Sequence, residues 1–149
     1  VQGQAFEVWG GEQLRDFTFV EDAVEAFLLA GSREESNGRI YNLGGQEIIS
    51  LKDLADLLIA VHGGGEYAVR TFPEDRKRID IGDYYADFSR IRTELGWLPQ
   101  VPLPDGLTRT LQYYREHLKE YAGVPTETCP PQRVRLGRKR GGALSRPCS

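Results

Sequence analysis

Two segments of this 149-residue chain set an arginine among aromatic and acidic residues. They are Arg15-Asp16-Phe17-Thr18-Phe19-Val20-Glu21-Asp22 and Arg78-Ile79-Asp80-Ile81-Gly82-Asp83-Tyr84-Tyr85-Ala86-Asp87. Each falls where a strand or loop is expected to meet a helix. A guanidinium can pair with phosphate through two parallel N–H bonds, a flat ring can cover a base, and a carboxylate can accept from sugar hydroxyls. These are the groups a nucleotide diphosphate needs. No Gly-x-x-Gly-x-x-Gly follows a predicted strand, and none of the seven tyrosines has a lysine four residues on. The pattern is that of the substrate-holding part of an enzyme, with the cofactor-holding part expected elsewhere. His62 and His117 have no companions at metal-ligand spacing, and Glu34-Glu35 and Glu74-Asp75 sit in polar stretches that read as solvated. No catalytic and no metal-ligating residue is assigned.

The elements that must position these residues follow from periodicity and punctuation. Ala5–Trp9 alternates and stops at Gly10-Gly11, which predicts a short strand and turn. Asp16–Val20 is aromatic and β-branched, which predicts a second strand. From Glu21, Ala23, Val24, Phe27 and Leu28 recur at helical spacing up to Gly31. Arg39–Leu43 reads as a strand closed by Gly44-Gly45. Ser50 with Asp53 three residues on is an acidic variant of the capping box, opening a helix that the run Gly63–Gly65 ends. Tyr67–Phe72 reads as a strand, Pro73–Lys77 as a polar loop, and Asp87 as the cap of a short helix ending at Gly96. A last helix is expected from about Leu103 to Tyr121, with Pro104 in its first turn and Leu107, Leu111, Tyr114 and Leu118 as its buried stripe.

Hydrophobic residues make up 40% and charged residues 28%, values ordinary for a globular domain. No apolar run approaches the length of a membrane span, and no secretory leader pattern opens the chain. Two units are expected. Residues 1–122 form a mixed α/β substrate-binding region. Residues 123–149, with six basic residues against one acid, form a basic tail too poor in apolar periodicity to fold. The net charge of −3 therefore conceals an acidic body, which argues against nucleic acid as a partner. The tail could touch nucleic acid, but no aromatic residue interleaves it to make a stacking platform. Cys129 and Cys148 lie in the tail with no C-x-x-C spacing, so a reducing, cytoplasmic setting is the expectation.

Several ordered pieces carry a resemblance: Phe6-Glu7-Val8-Trp9-Gly10, Arg15-Asp16-Phe17, Tyr41-Asn42-Leu43-Gly44-Gly45, Ile81-Gly82-Asp83-Tyr84-Tyr85-Ala86-Asp87, Leu95-Gly96-Trp97-Leu98-Pro99 and Gly106-Leu107. In this order over residues 3–121 they resemble the C-terminal half of the extended short-chain dehydrogenase/reductase family. These are the NAD-dependent epimerases and dehydratases of nucleotide sugars, with UDP-glucose 4-epimerases and dTDP-glucose 4,6-dehydratases as the nearest named relatives. The resemblance implies an α/β fold, the substrate-binding part of a protein of the NAD(P)-binding Rossmann-like superfamily, without the N-terminal Rossmann core. It implies NAD as the cofactor of the intact enzyme, held by the missing domain and not by this chain alone, and a UDP- or dTDP-hexose as ligand. It also implies that the strand around Ile40–Leu43 belongs to the sheet of that missing domain, which becomes the expected partner.

By the same resemblance Arg15 reaches the diphosphate; the alternative is a surface arginine paired with Asp16 or Asp22. Phe17 lies near the ligand or in the core. Trp9 packs along the nucleobase or is an interior tryptophan. Arg78 is the second phosphate-binding arginine, with Arg76 as the alternative in register, or the run Arg76–Arg78 is a solvated turn. Asp83 accepts from a ribose or sugar hydroxyl, and Tyr84 lies beside the sugar. These six, Trp9, Arg15, Phe17, Arg78, Asp83 and Tyr84, are the expected substrate-binding residues. A rival expectation from another class is a stand-alone, non-catalytic nucleotide-sugar binding or interaction module.

Overall fold

The computed structural model describes residues 2–122. The basic tail and its two cysteines lie outside the described residues. Strand β1 (Phe6–Trp9) pairs in parallel with β4 (Tyr67–Arg70), so that Trp9 stands opposite Arg70. Strand β2 (Leu14–Asp16) pairs antiparallel with β3 (Ile48–Ser50). Helix α1 (Val20–Gly31) follows β2, and α2 (Leu51–His62) follows β3 directly. Two short helices, α3 (Glu74–Lys77) and α4 (Ser89–Leu95), flank the second arginine-bearing segment. Helix α5 (Leu103–Glu116) packs on α2, and α6 (Leu118–Ala122) closes the described chain. The result is mixed α/β, as expected.

Where capping chemistry is written in the sequence, the elements appear as read. Ser50 Oγ accepts from the Asp53 N–H at 3.0 Å, satisfying a donor that the first turn of α2 would leave free. Gly63 ends α2 at φ 84°, a left-handed backbone that a side chain rarely adopts. The Asp87 carboxylate accepts from the Ser89 N–H at 2.8 Å, so it caps α4 from just before the helix. The Ser89 hydroxyl first, and its N–H second, hold the Asp87 carboxyl below its ordinary pKa.

Four expectations need correction. The second strand covers Leu14–Asp16, not Asp16–Val20. Its pairing stops because the Asp16 carboxylate takes the N–H of Gly45, and Gly45 lies against the Phe17 backbone where the next ladder pair would form. Arg39–Leu43 is irregular: among the described residues no strand pairs with it, and an extended run without a ladder partner is not a strand. Pro73–Lys77 contains one helical turn, α3, and is not a loop throughout. The last helix breaks at His117, whose ring bonds the Tyr113 carbonyl through Nδ1 at 2.9 Å while its backbone turns to φ −106° and ψ 17°.

The core is small. Ala26, Ile91 and Trp97 are buried, with Leu29, Tyr41, Leu43, Phe88 and Leu95 packed around them. Asp22 is buried beside them, and its two carboxylate oxygens accept from the N–H groups of Gln100 and Val101, each at 3.0 Å. The Asp22 carbonyl accepts from Trp97 Nε1 at 3.0 Å. One residue of α1 thereby ties down the Trp97–Val101 link, which sets the entry to α5 and so the helix against which α2 rests.

Candidate nucleotide-sugar site

Strand β2 and the loop before α4 are joined by an exchange that puts Arg15, Asp83 and Tyr84 in one place. The Tyr84 N–H donates to the Leu14 carbonyl at 3.0 Å, the Asp83 carboxylate accepts from the Leu14 N–H at 2.9 Å, and Arg15 bridges to Tyr84 in parallel. The Arg15 guanidinium is fixed by its Nη1, which donates to the carbonyls of Leu14 and Gly82. Its Nη2 faces the Asp80 carboxylate at 3.7 Å. Neither Asp16 nor Asp22 is its partner, so the pairing with those two is corrected; alternation along β2 turns Asp16 to the other face.

Trp9 lies at the end of β1, where the turn Gly10–Gln13 leads into β2. The Arg76 guanidinium sits 4.6 Å above the Trp9 ring centroid, and Phe72 meets the ring edge-on at 6.3 Å. Beneath, Glu7 accepts from Arg70 Nε at 3.0 Å and from Trp9 Nε1 at 3.4 Å. These two donors, with Arg70 the stronger, hold the Glu7 carboxyl below its ordinary pKa. Two open cavities meet here, sharing Gln13, Phe72 and Asp80. One, about 440 Å³, is lined by Trp9, Val8 and Leu54; the other, about 510 Å³, by Glu12, Lys77 and Asp83. Both lie in the size range of small-molecule sites.

Of the six expected residues, Arg15, Asp83 and Tyr84 are joined through β2, while Trp9 and Asp83 line the two cavities that share Asp80, which also faces Arg15. Arg78 is exposed at the end of α3, and its side chain has no ion pair or hydrogen bond among the described residues. Phe17 is not brought into this surface. It lines a separate apolar cavity of about 200 Å³ with Leu54, Leu103 and Leu107, against the start of α5.

Sequence reasoning passed over Asp16 and Asp80. Asp16 Oδ2 accepts from Gly45 N and Ala86 N, each at 3.1 Å, and so ties the β2–α1 link to both flanking loops. The pair Gly44-Gly45 was the available signal. A Cβ on Gly44 would stand 2.5 Å from that oxygen, and one on Gly45 2.4 Å from the Phe17 carbonyl oxygen. Both glycines are therefore required for packing. Gly10-Gly11 leads from β1 towards β2 and not into a helix, so neither glycine pair opens a helix as a phosphate loop would. Among the described residues no group of His, Cys, Asp and Glu is arranged to hold a metal, and no helix is long and apolar enough to cross a membrane.

Residues 2–110 match the family model described as GDP-mannose 4,6 dehydratase. The chain belongs to this NAD-dependent epimerase/dehydratase family. Among its members, a dTDP-glucose 4,6-dehydratase of Streptomyces griseus is 35% identical over 118 residues, covering 78% of this chain and 35% of that protein. The structure of a UDP-glucose 4-epimerase from Thermotoga maritima, solved with UDP-glucose, superposes with a TM-score of 0.68 at 28% identity, over 78% of this chain and 37% of that one. MoeE5, solved with UDP-glucuronic acid and NAD, gives 0.68 at 25% identity over 78% and 38%. The chain spans about a third of the length of these family members.

Proposed function

We propose that this chain supplies the nucleotide-sugar binding portion of an NAD-dependent epimerase or dehydratase and performs no proton or hydride transfer by itself. The observation that carries the reading is the anchored Arg15. Its Nη1 is engaged by two carbonyls, which leaves Nε and one edge of Nη2 as a fork for two phosphate oxygens. Trp9, with Arg76 across one face, offers its ring to the base, and Arg78 is the second cation within the same segment for the phosphates. Asp83 gives one carboxylate oxygen to Leu14 and keeps the other for a ribose or sugar hydroxyl, beside the exposed ring of Tyr84.

The ligand class is a UDP- or dTDP-hexose, supported by the UDP-sugars held by the Thermotoga maritima epimerase and MoeE5 and by the dTDP-glucose dehydratase relative. UDP-glucose is the first ligand to test. NAD belongs to a dinucleotide-binding partner domain, whose sheet edge the unpaired segment Ile40–Leu43 would extend. The test of the reading is fluorescence of the chain with UDP-glucose: Trp9 under a base predicts saturable quenching that Trp9→Phe removes. Quenching that survives Trp9→Phe would place the nucleotide elsewhere.

A further inference from the structure

Asp80 is the charged group that faces Arg15, yet it does not hydrogen-bond to it. The Nη2–Oδ1 separation is 3.7 Å, beyond hydrogen-bond reach, and the two side chains are 20% and 24% exposed. The guanidinium keeps its orientation through Nη1, which donates to the Leu14 carbonyl at 2.7 Å and to the Gly82 carbonyl. Asp80 Oδ2 accepts from the Gly82 N–H at 3.3 Å, a bond that an amide oxygen can also accept. Charge and orientation therefore come from different atoms at this site.

We propose that Asp80 is an intramolecular counter-anion for Arg15 that any phosphate-bearing ligand must outcompete, and so a specificity determinant of the site. The inference rests on the reading of Arg15 as a phosphate ligand. With Asp80 in place the guanidinium is already neutralised, so a lone anion gains little from it. A ligand that adds base and sugar contacts makes up the difference. Two effects of removing the carboxylate oppose each other. Loss of a holding group would weaken binding, and loss of a like charge beside the incoming phosphate would strengthen it. Because Nη1 and the Gly82 turn survive in Asp80→Asn, the second effect wins. The expected gain is about three- to tenfold, the size of a partly exposed charge pair.

The experiment follows the Arg15 side-chain Nε–H signal in ¹H–¹⁵N spectra of the full chain, assigned by its loss in Arg15→Lys, during titration with UDP and separately with inorganic pyrophosphate. Asp80→Asn is expected to bind both probes about three- to tenfold more tightly than the unsubstituted chain. Asp80→Glu should restore the original affinities, and the gain should shrink in the Arg15→Gln background, where no cation is left to neutralise, when binding is read from neighbouring backbone amides. Equal or weaker binding by Asp80→Asn, with the Arg15 signal still moving, overturns the counter-anion and leaves the phosphate reading intact. An Arg15 signal that moves with neither probe in either protein overturns both. A purely structural Asp80 would lower affinity and would not give a gain that depends on Arg15.

Discussion

Arg15 can be fixed by its own neighbourhood because β2 and the loop before α4 trade backbone and side-chain bonds across it. A charge-assisted bond to phosphate contributes about 1.5–3 kcal/mol, so Arg15→Ala should weaken UDP-glucose binding by at least about tenfold. Arg15→Lys should recover only part of that, since an ammonium lacks the fork. Arg78→Ala should weaken binding less and mainly at low salt, as suits an exposed cation; calorimetric titration at two salt concentrations reads both effects. Arg15, Trp9, Asp83 and Tyr84 stood out in the sequence through the family resemblance, with Arg76 as the alternative to Arg78 in register. Asp80 did not, because which carboxylate faces which guanidinium depends on a loop path that no periodicity encodes. Phe17 was left open between ligand and core for a related reason: an aromatic residue after a strand reads alike whether its ring turns to a ligand or to a helix.

Among the elements, the strongest local dependence is on Asp22, the buried carboxylate that serves Gln100 and Val101. Asp22→Ala leaves two partly buried N–H donors without partners, a cost of about 2–4 kcal/mol, read as a lower urea midpoint at unchanged slope. Gly45→Ala should be comparably harmful, because the atom it adds meets backbone and not a flexible side-chain end. Acid should act through Glu7, Asp56, Asp87 and Glu94, whose carboxyls are held below their ordinary pKa values by hydrogen bonds, chiefly from Arg70, Lys52, Ser89 and Tyr41 in that order. A lowered folded-state pKa gives stability that is present above the unfolded value and is lost as pH falls through the folded one. These groups should therefore leave the urea midpoint unchanged between pH 7 and about 5, and it should drop below about pH 4. A loss from these four groups already between pH 7 and 5 would contradict the assignment, and Glu7→Gln, Asp56→Asn, Asp87→Asn and Glu94→Gln together test it. Helices with explicit caps were legible to within a residue or two. Strands β1 and β4 were legible to the same precision, but β2 and β3 were not, because a strand is defined by its partner, and Arg39–Leu43 has none among the described residues.

At the scale of the whole molecule, the exposed apolar side chains on one element stand out. Val20, Val24, Phe27 and Leu28 of α1 are 49–72% exposed, and Ile40 beyond it is 80% exposed. Large exposed apolar patches on a globular chain mark surfaces that another body covers. Here the family members are about twice as long as this chain, and the unpaired Ile40–Leu43 segment lies next to the same face. The chain alone should therefore self-associate with rising concentration. Phe27→Glu with Leu28→Glu should abolish that association without altering UDP-glucose affinity, as sedimentation velocity and titration would show. The acidic balance of residues 1–122 and the basic balance of residues 123–149 are properties of the sequence itself. The covered face was not, because a helix exposed to water and a helix awaiting a partner carry the same apolar spacing.

The measurement that bears most directly on the central claim is calorimetric titration of UDP-glucose into the 149-residue chain and its Arg15→Ala variant. The account predicts saturable binding by the first, displaced by UDP, and at least about tenfold weaker binding by the second. Equal affinities for the two proteins, or no binding by the unsubstituted chain at millimolar ligand, would contradict it.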